Sequence, residues 1–395
     1  MPQRFLSLGE TPVANALVRE DQLDRPQRRF PLVIAFCPAC TLVQVTEELS
    51  AAELFPEEYP YFSSFSDQII DHARAHALAL IDERGLNGES LVVEVGSNDG
   101  YLLQHFAEHG ISVLGIDPAP GPVEAARERG VPTLTDFFGA ELARRLRAEG
   151  RVADVIIANN VMAHTPDLNG FVEGLAVLLA DEGVVTVENP YVRELITDRE
   201  FDTIYHEHFC YFSCTAVHRL MQRHGLSLNR VQPFPIHGGT LRWWIGRRPE
   251  VESSARAYLR EEEEAGVTRF GFYERFADEV EEVKRGLLEL LRGIANEGGR
   301  VFAYGAAAKG STLLNSAGIG RDLVAYVVDR NVHKQGLRMP GVLLPIHDPT
   351  RLLEDQPDFL LLLAWNFKDE IMRQQEEYRR RGGRFIVPLP APEVI

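Results

Sequence analysis

The chain has 395 residues, 45% of them hydrophobic, which is enough for two or three packed domains. Its 58 acidic residues against 41 basic ones give a formal net charge of -17, and no Lys/Arg run is present that would neutralise a phosphate backbone, so nucleic acid is not expected as a partner. No apolar run approaches the roughly 18 residues of a membrane span, and no basic segment followed by an apolar stretch opens the chain. The expectation is a cytoplasmic protein with no membrane partner.

The four cysteines fall into two local pairs, Cys37/Cys40 and Cys210/Cys214, which is not a disulfide framework. An apolar stretch from Phe30 runs into Cys37-Pro38-Ala39-Cys40, and a second apolar stretch follows. That is the shape of one zinc knuckle, in which two thiolates on a tight turn supply half of a tetrahedral site. Cys37 and Cys40 are therefore read as half a metal site or as two ordinary thiols on a turn. Residues 51–66 carry Tyr59, Tyr61, Ser63 and Ser64 around Pro56 and Pro60. The segment cannot be a helix around those two prolines, and it reads as a loop that holds a polar ligand or a linker whose aromatics pack on the next domain. A helix follows to about Glu83.

Residues 91–103 read as a buried strand, a glycine turn and the start of a helix, the opening of a doubly wound α/β domain. A second strand over residues 112–117 ends in Asp117, about 20 residues after the turn, where a ribose hydroxyl pair would be held. Gly96 and Gly100 are spaced Gly-x-x-x-Gly, not the Gly-x-Gly-x-x-Gly that lets a backbone approach a pyrophosphate. A cofactor without phosphates fits better, and S-adenosylmethionine is one. Glu94, Gly96, Asn98, Gly100 and Asp117 are its candidate contacts. Further strands fall at residues 131–135, 153–160 and 183–190. After the third strand Asp136 is placed to accept from an adenine amine, or to cap a helix, with Phe137 able to stack. Asn159, Asn160 and His164 follow the fourth strand, where the reactive end of the cofactor would lie.

Residues 204–213 concentrate proton-handling groups: Tyr205, His206, Glu207 and His208 are consecutive. On a regular strand Tyr205 and Glu207 would point one way and His208 the other, so a turn is expected here. A zinc hydrolase or deaminase built on His206, Glu207, Cys210 and Cys214 fails on spacing, since deaminases pair His-x-Glu with a distant Cys-x-x-Cys. An amphipathic helix from Cys214 follows, then two strands near residues 226–231 and 239–245 with His237 in the turn between them. Residues 251–299 read as charged connecting helices with one buried face, including the apolar set Leu287, Leu288, Leu290, Leu291 and Ile294. Residues 300–314 begin a second strand, glycine turn and helix, which strands near 323–329, 359–364 and 384–388 extend into a smaller α/β domain. Lys309 at the N-terminus of that helix is placed to bind an anion, with packing glycines and a surface lysine as the plainer reading.

The segments Cys37 to Gln44, Tyr59 to Ser64, Glu94 to Gly100, Asn160 to His164, Tyr205 to Ser213, His237 to Arg242 and Gly305 to Gly310 together resemble those of sugar C-methyltransferases acting on nucleotide-activated deoxysugars, such as the C-3′-methyltransferases of antibiotic pathways. The resemblance runs along nearly the whole chain. It implies an N-terminal zinc-knuckle-like domain over residues 1–66, a central class I S-adenosylmethionine methyltransferase domain over 67–250, connecting helices over 251–299, and a C-terminal Rossmann-like domain over 300–395. The family's zinc domain carries an earlier Cys-x-x-Cys, so this chain either starts beyond that pair or is a member without a full site. The implied reaction methylates a carbon beside a sugar ketone through an enolate. By the same resemblance His208 is the general base, Tyr205, Glu207, His164 and Tyr59 its active-site partners, and Tyr61, Ser63, Ser64, His237 and Lys309 substrate contacts. Glu207 is expected to orient the His208 imidazole or hold a sugar hydroxyl, and His206 to be structural. The expected ligand is a nucleotide sugar, with dTDP as the nucleotide. A different carbon, nucleotide or small ketone, or a non-catalytic sugar-nucleotide-binding protein, stays open as an alternative, and the oligomeric state is not legible.

Overall fold

The computed structural model describes residues 1–54, 62–236 and 238–395; Tyr59, Tyr61 and His237 lie outside the described residues. The apolar runs form three sheets. The central one has seven strands in the order Ser227–Phe234, Thr240–Gly246, Leu179–Pro190, Ala153–Asn159, Leu91–Val95, Ser112–Asp117, Thr133–Thr135. The last five are parallel, and Thr240–Gly246 joins them antiparallel through Leu179–Pro190. Alternation along each strand feeds two cores: Val93, Val95 and Ile156 face one, while Val92, Val155 and Ile157 face the other. This is the doubly wound Rossmann-like arrangement expected of the region.

The C-terminal sheet repeats the plan on a smaller scale, in the order Ile346–His347, Val327–Val328, Val301–Tyr304, Phe359–Leu362, Arg384–Val387, Glu393–Val394. Only its last pair is antiparallel. The two Rossmann-like units close their glycine turns in the same way. Asp117 accepts the backbone N–H groups of Asn98 and Ala119, both at 2.9 Å. Asp329 accepts those of Ala306 at 2.7 Å and Asn331 at 2.8 Å.

The N-terminal sheet is antiparallel, with Gln3–Thr11, Phe30–Phe36 and Val43–Val45, and its fourth strand is Cys210–Tyr211 from the proton-handling segment. The N-terminal region therefore does not close its sheet alone. Its apolar face, with Leu6, Leu32, Ile34 and Phe36, shares one core with the C-terminal strands through Val301 and Ala303. The long helix Phe276–Asn296 lies between them and buries Val280, Val283, Leu287, Leu291 and Ile294, a stripe at helical spacing. Among the described residues no helix is long and apolar enough to cross a membrane.

Candidate functional site

A cavity of about 580 Å³ opens where the C-terminal ends of the two parallel sheets face each other. Loops after strands are the usual ligand face of such sheets, because the crossover helices cover the rest. From the central sheet the cavity takes Gly96 and Asn98, Asp117, Asp136 and Phe137, and Asn159, Asn160 and His164; from the C-terminal sheet it takes Ala307 to Lys309 and Ala364 to Phe367 without Trp365. Lys334, Ser63, Tyr101, Asn15, Thr203, Tyr205 and His208 complete the walls that bear on the chemistry.

On the cofactor side Gly96 has φ +69°, and a Cβ built there would sit 2.9 Å from the Val161 side chain, so only glycine leaves this floor open. Asn98 (φ 48°) and Asn160 (φ 54°) adopt the left-handed conformation and turn their loops into the cavity. The Asn98 side chain accepts the Ser63 N–H at 2.8 Å, which brings Ser63 to the rim. The buried Asn159 Oδ1 has no hydrogen-bond partner among the described residues. The glycine floor, the strand-end Asp117 and this orphaned amide oxygen fit S-adenosylmethionine. Asp136 does not cap the helix Ala140–Ala148, whose cap residue is Gly139; it accepts the Phe137 N–H at 2.9 Å and pairs with Arg145 at 2.8 Å. Phe137 is 57% exposed at the cavity, the disposition of a stacking platform.

Three sequence candidates stand elsewhere. The Glu94 carboxyl is buried among Asp117, Asp99 and Glu188, where burial pushes its pKa well up, and it does not line the cavity. At Gly100 a Cβ would meet Val131 and Ala126 at 3.1–3.3 Å, so this glycine lets the next helix and strand pack. Ser64 accepts from Arg129 at 3.1 Å outside the cavity wall.

The proton-handling segment is a turn. The short helical turn Phe201–Thr203 leads in, the His208 N–H bonds to the Tyr205 carbonyl at 2.9 Å, and the strand Cys210–Tyr211 leads out. A three-residue offset within a turn places Tyr205 and His208 side by side, ring centroids 4.0 Å apart. The His208 Nδ1–H donates to the Thr203 carbonyl at 3.0 Å, which fixes the tautomer and leaves the Nε2 lone pair to accept from the Tyr205 hydroxyl at 2.7 Å. His164 packs edge-on to His208 at 4.7 Å, and burial lowers its pKa to about 4, so it is neutral at pH 7.

Glu207 corrects an expectation. It does not orient the imidazole, because Thr203 does; its side chain turns to the other face of the turn and accepts the Asn15 N–H at 3.1 Å. Burial pushes its pKa up to about 7. His206 is fully buried, facing the Pro31 carbonyl at 3.2 Å and packing against Phe30.

Lys309 enters the cavity from the first turn of the helix Ala308–Ala317. Its buried Nζ lies 4.5 Å from the centre of the Trp365 ring and has no hydrogen-bond partner among the described residues. Lys334, missed in the sequence, lines the same wall and donates to the Ala306 carbonyl at 2.8 Å. Asn366, also missed, lines the cavity with both ends of its amide buried and unpartnered among the described residues. Nothing in the sequence marks either one except its place after a strand.

Cys37 and Cys40 sit on a turn closed by the Thr41 N–H to the Cys37 carbonyl at 2.7 Å. Burial pushes Cys40 up; Cys37 feels burial too, but N–H donors from Cys40 and Ala39 and the Cys40 thiol outweigh it and lower its pKa. No set of three His, Cys, Asp or Glu side chains converges as metal ligands among the described residues. Two thiols do not fit a four-coordinate zinc.

Family models match the chain in three consecutive blocks: a "Putative zinc binding domain" over residues 2–55, a methyltransferase domain over 69–231 and a C-methyltransferase C-terminal domain over 235–390. The C-methyltransferase NovU of Streptomyces niveus is 36% identical over 393 residues, covering 99% of this chain and 93% of that protein. A ubiquinone biosynthesis O-methyltransferase of Bartonella quintana is 28% identical over 97 residues, 24% of this chain and 39% of that protein. Among solved structures, the magnesium protoporphyrin IX methyltransferase of Synechocystis PCC 6803 with bound S-adenosylmethionine matches 46% of this chain and 79% of its own, at 18% identity and a TM-score of 0.35. The full-length match to a C-methyltransferase, on a class I Rossmann-like sheet whose loops fit S-adenosylmethionine, places this chain in the C-methyltransferase family as an S-adenosylmethionine-dependent enzyme.

Proposed function

We propose that the enzyme methylates a carbon next to the ketone of a nucleotide-linked deoxysugar, with dTDP as the nucleotide. The observation that carries this reading is a single cavity holding the cofactor loops, the Tyr205–His208 pair and the cationic end of the C-terminal unit. S-adenosylmethionine supplies the methyl group, held by the loops at Gly96, Asn98, Asp117, Phe137, Asn159 and Asn160. The Nε2 of His208 takes the proton from the carbon beside the ketone, after substrate displaces the Tyr205 hydroxyl that occupies its lone pair. The C–H pair becomes the C=C bond of an enolate and the carbonyl π pair moves to oxygen; that carbon then takes the methyl group, leaving the S–CH₃ pair on S-adenosylhomocysteine, and the carbonyl is restored. His164, kept neutral by burial, packs against the imidazole without repelling the imidazolium that forms.

The C-terminal unit supports a nucleotide diphosphate by its uncapped helix. No side chain caps the N-terminus of Ala308–Ala317, and its first-turn residues face the cavity beside Lys334. Free backbone N–H groups and a nearby ammonium suit a phosphate. Tyr205, as a neutral phenol, can donate without repelling that charge.

The experiment is incubation with methyl-labelled S-adenosylmethionine and a panel of nucleotide-linked ketosugars. Label should appear on carbon in at least one of them. If none is methylated while the cofactor binds, the sugar reading falls.

A further inference from the structure

Removing a proton beside a ketone sends the C–H electron pair into the new C=C bond and the carbonyl π pair onto oxygen. The oxygen therefore needs a hydrogen-bond donor just as the proton reaches His208 Nε2. On the central-domain side the His208 Nδ1–H stays committed to the Thr203 carbonyl at 3.0 Å, and the Tyr205 hydroxyl, which donates to His208 at 2.7 Å without substrate, is one donor that substrate releases.

From the C-terminal unit the cavity takes two buried donors with nothing to donate to among the described residues, the Lys309 ammonium and the Asn366 amide. An unsatisfied buried amide or ammonium is costly, and such groups persist where a ligand completes them. They come from neighbouring parallel strands, Lys309 after Val301–Tyr304 and Asn366 after Phe359–Leu362, so their loops lie side by side.

Their position relative to the reacting segment is fixed by two contacts. Thr312 donates to the Ile204 carbonyl at 3.1 Å, and Lys309 lies one turn earlier on the same helix face. Trp365, over which Lys309 sits and next to which Asn366 stands, donates to Asp202 at 2.7 Å. Both donors are thus held against residues 202–205, the stretch that presents Tyr205 and His208. Burial lowers the Lys309 pKa from its ordinary range, while Asp202 and Glu200 oppose that shift without hydrogen-bonding the ammonium.

We propose that Lys309 and Asn366 form the oxyanion site of the reaction, donating to the substrate's ketone oxygen as it becomes the enolate oxygen. The inference rests on the ketosugar reading above. It leaves the diphosphate to Lys334 and the backbone N–H groups of the helix N-terminus.

The test separates proton removal from methyl transfer. Enzyme loaded with S-adenosylhomocysteine, which cannot methylate, is mixed in D₂O with the nucleotide-linked ketosugar, and exchange of the hydrogen beside the ketone is followed by NMR. K309Q should slow exchange roughly 100- to 1000-fold, the usual effect of removing one oxyanion donor, and N366A should slow it about tenfold or more. Thymidine diphosphate should bind both variants as it binds the unmodified enzyme. Undiminished exchange in K309Q and N366A overturns the oxyanion site alone. So does weakened thymidine diphosphate binding with exchange retained at saturating substrate, the result expected of a phosphate ligand. If K309Q no longer binds S-adenosylhomocysteine and so has not folded, N366A decides on the same two readouts. Absence of exchange in the unmodified enzyme removes the ketosugar reading and this inference together.

Discussion

Replacing His208 by alanine tests the centre of the proposed chemistry. The imidazole has one committed nitrogen, Nδ1, which donates to Thr203 at 3.0 Å, and one lone pair, on Nε2, which faces Tyr205 at 2.7 Å. Losing that lone pair removes general-base catalysis, which contributes about 10²- to 10⁴-fold, or roughly 3–5.5 kcal/mol of barrier. The substitution also strands the Tyr205 hydroxyl and the Thr203 carbonyl, at a cost of about 1–3 kcal/mol each where no water replaces the ring. A stability of some 5–15 kcal/mol absorbs much of that, so the protein should still fold with a lowered Tm. The assay is methyl transfer at saturating cofactor and sugar, with S-adenosylhomocysteine binding as the check on folding. Cofactor affinity should hold while kcat falls by at least a hundredfold. Tyr205→Phe keeps the Nε2 lone pair and should lose less. A His208→Ala enzyme with full turnover would refute the base assignment.

Three further outcomes are expected. Gly96→Ala places a side chain at φ +69°, a strain of about 1–2 kcal/mol, and drives its Cβ to 2.9 Å from Val161. Calorimetry should show S-adenosylhomocysteine binding weakened about tenfold or more; unchanged affinity would mean that the cofactor does not use this loop. Glu188 is paired with Arg242 and with His72 at 3.0 Å, and despite its burial these partners hold its pKa down to about 2. Its folded pKa lies below the unfolded value, so its contribution, on the order of 3 kcal/mol, is present above about pH 4.5 and lost as pH falls toward 2. Glu188→Gln should therefore lower Tm at pH 7 and differ progressively less in acid, whereas a difference independent of pH contradicts the ion pair. Finally, chelator treatment should leave Tm unchanged, because Cys37 and Cys40 meet no further ligands among the described residues; a large drop would show a metal completing the site.

Periodic apolar runs made both Rossmann-like sheets legible, because each strand between two helix layers must bury both faces. Single glycines were less legible. Gly96 and Gly100 read as one motif, yet Gly96 opens the cavity floor while Gly100 lets Val131 and Ala126 approach. The composition of residues 204–213 drew attention to a segment that brings Tyr205 and His208 to the cavity, and the expectation of a turn followed from strand alternation. Glu207 was harder, since which face of a turn a carboxylate takes depends on a partner, Asn15, from the other end of the chain. Lys334 and Asn366 carry no local pattern at all. They become visible only when two sheets bring their loops to one cavity and leave polar atoms there without partners.

The three parts of the molecule converge on the segment from Asp202 to Tyr211, and this accounts for an architecture larger than one methyltransferase domain. The N-terminal sheet takes Cys210–Tyr211 as its edge strand, fixes Glu207 through Asn15 and faces His206 with the Pro31 carbonyl. The C-terminal unit grips the opposite end through Trp365 to Asp202 and Thr312 to Ile204. The central domain anchors the middle, where the Phe209 N–H bonds to Ala163, the residue before His164. A turn of this kind has few hydrogen bonds of its own, and left alone it would sample many conformations at a cost of about 1–2 kcal/mol per residue to order. Proton transfer needs the base held within hydrogen-bond reach of one C–H bond, and misplacement by about 1 Å costs on the order of a hundredfold. Clamping both ends of the turn from separate domains supplies the precision that the proposed base, His208, requires, and the same few contacts tie it to Lys309 and Asn366.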